Sequence, residues 1–246
     1  MGRKEHRTRQ NGGTTVTKRQ APWLARTYNP ATRTVVSTLG ALLGVSSMNH
    51  GLLETMQGNH PTPGSLINAL GPGYHWTFWT QGSEPAFTLV HNFLLTGLLA
   101  TLAGLLILIW SLRFMQRKGG AAVFLLLSVG SFLSGGGLAQ VLLFTLNWAV
   151  ATRVRASLGW WRWLLPARVR PFLRALWPWS LGAGVGFFLA ALEIAVVGYF
   201  PGLPRERLAL DHILMGIGLA IIVAFLIAIV GAFAADIEAR APVARE

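Results

Sequence analysis

Long apolar blocks alternate with short polar stretches along the chain, and the blocks have the length of membrane helices. Four of them cover about 35–55, 86–114, 177–200 and 211–235. A bilayer core about 30 Å thick is crossed by roughly 20 residues of α-helix. The pattern therefore predicts four full transmembrane spans.

A fifth apolar block, 121–152, contains no charged residue but is interrupted by Gly135-Gly136-Gly137. As one helix it would be about 48 Å long, which exceeds the bilayer core. Each interior glycine also costs a helix roughly 1 kcal/mol relative to alanine. We predict two short helices, 121–134 and 138–152, that turn back at the glycines as two thin spans or a re-entrant hairpin. A single long tilted helix is the alternative.

The distribution of positive charge favours the hairpin over the single helix. With a hairpin, 19 of the 21 Lys and Arg residues lie on one side of the membrane; with a single helix the division is 13 to 8. Cytoplasmic loops of membrane proteins carry an excess of Lys and Arg. We therefore predict an all-α bundle of six membrane helices, four full spans plus the hairpin, in the plasma (inner) membrane with both termini cytoplasmic.

Polar segments enclose a predicted membrane domain over 35–235. Residues 1–34 are basic and rich in Gly, Thr and Asn, which is typical of a disordered tail, and 236–246 form a second polar tail. The loop 56–86 has no Lys or Arg and carries an aromatic cluster, so we expect it on the outer membrane surface. Within it, Ser83 is a suitable N-cap for the second span.

The segment 153–176 holds six arginines and no acid, and Trp160, Trp161 and Trp163 alternate with the arginines. This composition predicts an interfacial segment whose arginines face anionic lipid headgroups. A solvated basic loop would leave three tryptophans in water. We therefore expect the lipid bilayer and its anionic headgroups to be the partners of this segment.

Composition excludes several functional classes. The chain is 52% hydrophobic and 12% charged, which leaves no room for a large soluble domain. Its net charge of +12 lies at the ends of apolar blocks, without the aromatic residues that stack on bases, so no nucleic acid is expected. The absence of cysteine excludes disulfides and thiolate chemistry. No phosphate-binding loop, HExxH or GxSxG motif is present, and no enzyme activity is indicated.

Seven polar residues interrupt the apolar blocks: Asn49, His50, Glu54, His91, Asn92, Gln140 and Glu193. His50 and Glu54 are four residues apart and so share a helix face. A carboxylate inside an apolar run, such as Glu193, is a functional candidate by default.

We hypothesise that four of these residues line one outward-facing pocket, with a divalent metal as its possible cofactor: His50, Glu54, His91 and Glu193. Hydrogen bonding between helices is the alternative, and it is the more common use of such groups.

Small residues lie at helical spacing in the last two spans. Gly182 and Gly186 form one pair, and a ridge of small residues follows at fourfold spacing: Gly216, Ala220, Ala224, Ala228 and Ala232. Such faces let membrane helices pack closely, within the bundle or in a homo- or hetero-oligomer. Three functions stay open: a transport-related or membrane-complex component, an intramembrane metalloenzyme, and a structural or assembly subunit.

Three segments carry a resemblance to known sequences: NHGLLETMQG, GSEPAFTLVHNFLLTG, and QRKGGAAVFLLLSVGSFLSGGG continuing to ATRV. Over residues 44–155 the chain resembles an uncharacterised family of prokaryotic multi-pass membrane proteins. The resemblance implies a membrane fold and no particular activity. His91 and Gln140 stand where other residues are expected, so no functional residue is carried over.

Overall fold

The computed structural model describes residues 28–69, 85–197, 201–202 and 207–240, which contain seven helices and three short strands. Residues 1–27 and 241–246 of the two predicted tails, the aromatic cluster of the loop and Ser83 lie outside the described residues. The elements in chain order are α1 (Pro30–Met56), β1 (Leu66–Asn68), β2 (Pro85–Thr88), α2 (Phe93–Arg113), α3 (Gly120–Leu133), β3 (Ser134–Gly137), α4 (Gln140–Ala151), α5 (Gly159–Leu164), α6 (Arg170–Val197) and α7 (Arg207–Glu238).

Three of these helices are long and apolar enough to cross a membrane: α2, α6 and the part of α7 from His212 to Glu238. Helices α3 and α4 are apolar but shorter. Large apolar side chains such as Leu102, Leu189 and Leu219 are exposed on the outer faces of the three long helices. The protein is therefore mostly helical, with three candidate membrane spans. Helix α1, the first of the four predicted spans, is not among them.

Helix α1 lies at the centre of the bundle, where it packs against α2, α4, α6 and α7. Its contact with α2 is made at glycines: a Cβ atom on Gly104 would lie 2.6 Å from the carbonyl oxygen of Gly44. Only glycine permits two helix backbones to approach so closely. Ser46, His50 and Glu54 lie in the second half of this helix and are buried in the bundle.

The break at the glycine triplet is confirmed. The aromatic rings of Phe124 in α3 and Phe144 in α4 lie 6.0 Å apart, whereas one straight helix would separate these residues by about 30 Å. The chain therefore turns back between the two helices, and the alternative of a single long helix is wrong.

The glycines do not form a simple turn, however, and the prediction of an all-α fold needs correction. Residues Ser134–Gly137 are a strand, β3, which pairs antiparallel with β2; β2 pairs in turn with β1. Ala86 lies opposite Gly137, and Thr88 lies opposite Ser134. The two short helices are thus joined through a small three-stranded sheet.

The second predicted span also begins later than residue 86. Its first residues form β2, because they find a strand partner on each side. Helix α2 begins at Phe93, and the side chain of Asn92 caps it by accepting a hydrogen bond from the amide of Leu95 at 3.1 Å. Asn92 is therefore a structural N-cap.

Basic segments distant in sequence meet at the end of the bundle opposite the sheet, which we call the basic end. The amide of Asn29 donates to the carbonyl of Val154 at 2.7 Å. Arg33 donates to the carbonyl of Leu112 at 2.8 Å, and Arg155 donates to that of Gln116 at 3.2 Å. These contacts bring the start of α1, the end of α2 and the segment after α4 together.

Two predicted boundaries at this end are corrected. Helix α1 begins at Pro30, inside the predicted tail, and α7 continues to Glu238, beyond the predicted end of the last span. Asp236 is only 2% exposed and accepts hydrogen bonds from the start of α1. It therefore belongs to the folded bundle.

The segment 153–176 contains the short helix α5 and the first residues of α6, which begins at Arg170, seven residues before the predicted span. The ring of Trp161 packs against that of Phe233 in α7 at 4.6 Å. Trp160 and Trp163 are 63% and 80% exposed. In α7, three alanines of the predicted small-residue ridge are buried in the bundle: Ala224, Ala228 and Ala232.

Candidate functional site

Each glycine of β3 lies against at least one buried polar side chain. A Cβ atom on Gly135 would collide with the carboxylate of Glu54. One on Gly136 would lie 2.8 Å from the hydroxyl oxygen of Ser131. One on Gly137 would collide with the imidazole of His50 and lie 3.1 Å from the amide nitrogen of Gln140. We call these four side chains, gathered on the glycine strand, the polar cluster.

Glu54 is the most unusual member of the polar cluster. It is 0% exposed, and neither carboxylate oxygen forms a hydrogen bond with a described residue. Gly135, on which the carboxylate lies, has a φ of +104°, a conformation that side-chain-bearing residues rarely adopt. The backbone conformation and the space for the carboxylate therefore both require glycine at this position.

His50 and Gln140 occupy the next part of the strand. His50 is 1% exposed and lies one helical turn before Glu54, on the same face of α1. The Oε1 atom of Gln140 accepts a hydrogen bond from the hydroxyl of Ser47 at 3.0 Å. The Nε2 atom of Gln140 and the hydroxyl of Ser131 are buried and form no hydrogen bond with a described residue.

Hydrogen bonds from the neighbouring elements hold the glycine strand in place. The hydroxyl of Thr96 in α2 donates to the carbonyl of Ser134 at 2.9 Å and also pairs with the hydroxyl of Thr88 in β2. At the other end of the strand, the amide of Leu138 donates to the carbonyl of Pro85 at 2.9 Å. The backbone under the polar cluster is therefore fixed from both sides.

The other polar residues singled out in the sequence lie elsewhere. His91 is exposed and pairs with the hydroxyl of Ser65 at 3.1 Å through Nε2. Glu193 is exposed on α6, and Asn49 is half-buried on α1. Only His50, Glu54 and Gln140 of the predicted residues meet in the polar cluster.

The four residues proposed to share a metal pocket do not converge. His50 and Glu54 are buried on α1, whereas His91 and Glu193 are exposed. In the part of the chain that the structure describes, no group of three or more His, Asp or Glu side chains could hold a metal ion. A divalent site with three protein ligands is therefore not formed by these four residues.

A cavity of about 340 Å³ lies between α4, α6 and α7 at the sheet end of the bundle. Its walls are almost entirely apolar, with Leu143, Phe188 and Ile221 among them. Gln140 lines this cavity and also belongs to the polar cluster, so it stands between the two. The apolar walls offer few polar groups that could coordinate an ion in place of water.

Sequence reasoning identified the residues of α1 but missed the strand that faces them. The sequence pattern predicts a helix break at the glycine triplet and an apolar helix around Ser131, but no strand. The available signal was the glycine triplet itself, because three adjacent residues without side chains leave space for buried side chains such as that of Glu54.

The fold and site thus define a mostly helical protein with three candidate membrane spans and a buried polar cluster. Comparison of the chain with known protein families, curated proteins and solved structures gives no match in any of the three. The resemblance to a prokaryotic multi-pass membrane family therefore stays a prediction.

Proposed function

We propose that the chain is a multi-pass integral membrane protein with a transport-related role, in which Glu54 takes up and releases a proton. The observation that carries the proposal is the burial of this carboxyl group without a hydrogen-bond partner among the described residues. A buried carboxylate is unfavourable by several kcal/mol unless it is neutralised by a proton or a cation. A buried carboxyl group without a fixed partner is therefore suited to alternate between its protonated and ionised forms.

The surroundings of Glu54 favour a proton over a metal ion. A divalent cation needs three or more ligands, and calcium takes about six to eight oxygen atoms. The carboxylate of Glu54 instead lies directly against the backbone of Gly135. A proton needs no coordination shell. Nearby polar side chains can exchange a proton with the carboxyl group or form a hydrogen bond to it: those of His50, Ser131 and Gln140.

We further propose that α1 is a fourth membrane span, shielded from lipid by the other helices. Its 27 residues would extend about 40 Å, enough to cross a bilayer. Its modest hydropathy follows from its central position, because buried polar residues such as Ser47 do not meet lipid. The meeting of basic segments at one end of the bundle, together with the charge division, supports a cytoplasmic location for that end.

The test is proton flux into proteoliposomes that enclose a pH-sensitive dye, driven by a potassium diffusion potential. The Glu54→Gln variant keeps the size of the side chain but cannot ionise, so we expect it to lose the proton flux seen with the unmodified protein. The matched control is Glu193→Gln, which removes another carboxylate from an apolar helix but at an exposed position. We expect this control to retain the flux.

A second measurement identifies the group that gains and loses the proton. The infrared difference spectrum between acidic and alkaline samples should contain a carboxyl band that disappears in Glu54→Gln and persists in Glu193→Gln. The proposal is wrong if Glu54→Gln conducts protons as well as the unmodified protein. It is equally wrong if the unmodified protein shows no flux above that of empty liposomes.

A role as an assembly subunit is the second candidate. Gly182 and Gly186, one turn apart on α6, are exposed, and a Cβ atom on either would meet open space. This pair is available to a helix of another chain, and small residues at this spacing promote close packing of membrane helices.

A further inference from the structure

A shallow cavity of about 210 Å³ lies at the basic end, between α5 and the last residues of α7. Its lining comprises Ser157, Leu158, Gly159, Arg162, Ile237 and Arg240. Leu158 and Ile237 are buried and form an apolar floor, whereas Ser157 and Arg162 are exposed at its edge. The cavity therefore combines an apolar base with a hydroxyl group and two guanidinium groups.

The positive charge of this cavity is not neutralised by the acids beside it. Glu238 forms an ion pair with Arg174 at 3.2 Å, outside the cavity. Asp236 accepts three hydrogen bonds from Ala31 and Thr32 at the start of α1. Neither Arg162 nor Arg240 forms an ion pair with a described carboxylate. The two acids of the last turns of α7 are thus engaged elsewhere, and the arginines are available to an anion.

We propose that this cavity binds the phosphate group of an anionic membrane lipid through Arg162 and Arg240. The planar guanidinium group matches the oxygens of a phosphate and can contact two of them at once. The hydroxyl of Ser157 adds a neutral donor. The buried floor suits the glycerol carbons that adjoin a lipid phosphate, a feature that a free phosphate ion does not use.

The surroundings favour a lipid as the source of the phosphate. Trp160 and Trp163, on the same short helix as Arg162, are 63% and 80% exposed, and tryptophan is enriched where a membrane meets water. The candidate spans α6 and α7 also reach this end, as the Arg174–Glu238 pair between them shows. The inference rests on the proposed membrane placement but does not depend on proton exchange at Glu54.

Lipid binding to the full chain, purified in a neutral detergent, tests this proposal by native mass spectrometry. We expect the unmodified protein to bind phosphatidylglycerol at least tenfold more tightly than phosphatidylcholine. The double variant Arg162→Gln/Arg240→Gln should lose that preference, because it lacks both guanidinium groups. We expect it to stay folded, since neither arginine side chain forms a hydrogen bond with a described residue. Lysine at both positions should retain part of the preference, since the charge remains but the planar fork is lost.

The matched control is Arg168→Gln, which removes an exposed positive charge from the same segment outside the cavity. It should change the affinity for phosphatidylglycerol by less than twofold. An equal loss in this control would overturn the proposal in favour of general attraction to the basic segment. Absence of a preference in the unmodified protein, or competition by inorganic phosphate as effective as by the lipid, would also overturn it. The double variant should keep the proton flux of the unmodified protein. A change in lipid preference with unchanged flux is thereby distinguished from a failure of the proposal on Glu54.

Discussion

Asp236 offers the clearest quantitative test of how the basic end is held together. Asn29, the N-cap residue of α1, uses its side chain to donate to the carbonyl of Arg153 and does not cap the helix. Asp236 of α7 takes over this role: it accepts hydrogen bonds from the amides of Ala31 at 3.1 Å and Thr32 at 2.8 Å, and from the hydroxyl of Thr32 at 2.7 Å. One carboxylate thus joins the start of the first helix to the end of the last.

Asp236→Ala should reduce the free energy of unfolding by about 3–5 kcal/mol. A hydrogen bond to a charged group contributes roughly 1.5–3 kcal/mol, and three bonds to one carboxylate add less than their sum. The backbone amides of Ala31 and Thr32 would also lose their hydrogen-bond acceptor inside the bundle. The helix dipole adds a smaller favourable interaction of up to about 1 kcal/mol, which is lost with the charge.

Glu238→Ala is the matched control, because it removes a carboxylate from the same end of α7. Its partner Arg174 has a side chain that is 63% exposed, and exposed ion pairs contribute only about 0–1 kcal/mol. Thermal unfolding in detergent can be followed through the ten native tryptophans. With about 2–4 °C per kcal/mol for a chain of this size, we expect a decrease in Tm of roughly 10 °C for Asp236→Ala and at most about 4 °C for Glu238→Ala. Equal decreases would refute the capping role of Asp236.

Two further predictions concern assembly and orientation. If Gly182 and Gly186 contact another chain, Gly186→Leu should shift the purified protein to a smaller oligomer in light scattering, whereas Gly130→Leu, at another exposed glycine with open space, should not; an unchanged mass in both would exclude this interface. A cysteine in place of Ser157 should not react with an impermeant reagent added to intact cells, whereas one at the exposed Leu66 should react, and the reverse labelling would invert the proposed topology.

The interruption of the fifth apolar block could be predicted because glycine weakens helices wherever it occurs. The sheet could not, because its strands have only three or four residues and lack the alternating β-branched pattern that marks a strand. Residues Leu66 and Gly137 belong to one sheet but are far apart in sequence. Neither segment indicates its partner locally, and the pairing depends on how α1 and α2 bring the segments together.

The two carboxylates Glu54 and Glu193 show why the site could be predicted only in part. Both lie in helices next to apolar residues, and the apolar run around Glu193 marks that residue as a functional candidate. Glu193 is nevertheless exposed, while the adjacent Ile194 is fully buried. Hydropathy averages over all faces of a helix and therefore cannot say which face meets the bundle. The Asp236 cap was missed for a related reason, since a short polar sequence near a terminus resembles a tail.

The polarity of α1 and its central position explain each other. A helix that carries Ser46, Ser47, His50 and Glu54 on one face is a poor partner for lipid, so it is stable in a bundle only when other elements cover that face. Helices α2, α4, α6 and α7 pack around α1, and the glycine strand covers the part of the polar face that carries His50 and Glu54. A helix at that place would project side chains into the space of His50 and Glu54, whereas three glycines leave it open. The interruption of the apolar block is therefore what allows a carboxyl group to be held inside the bundle. A substitution of Gly135 by alanine would remove the space for Glu54 without changing the outer surface of the bundle.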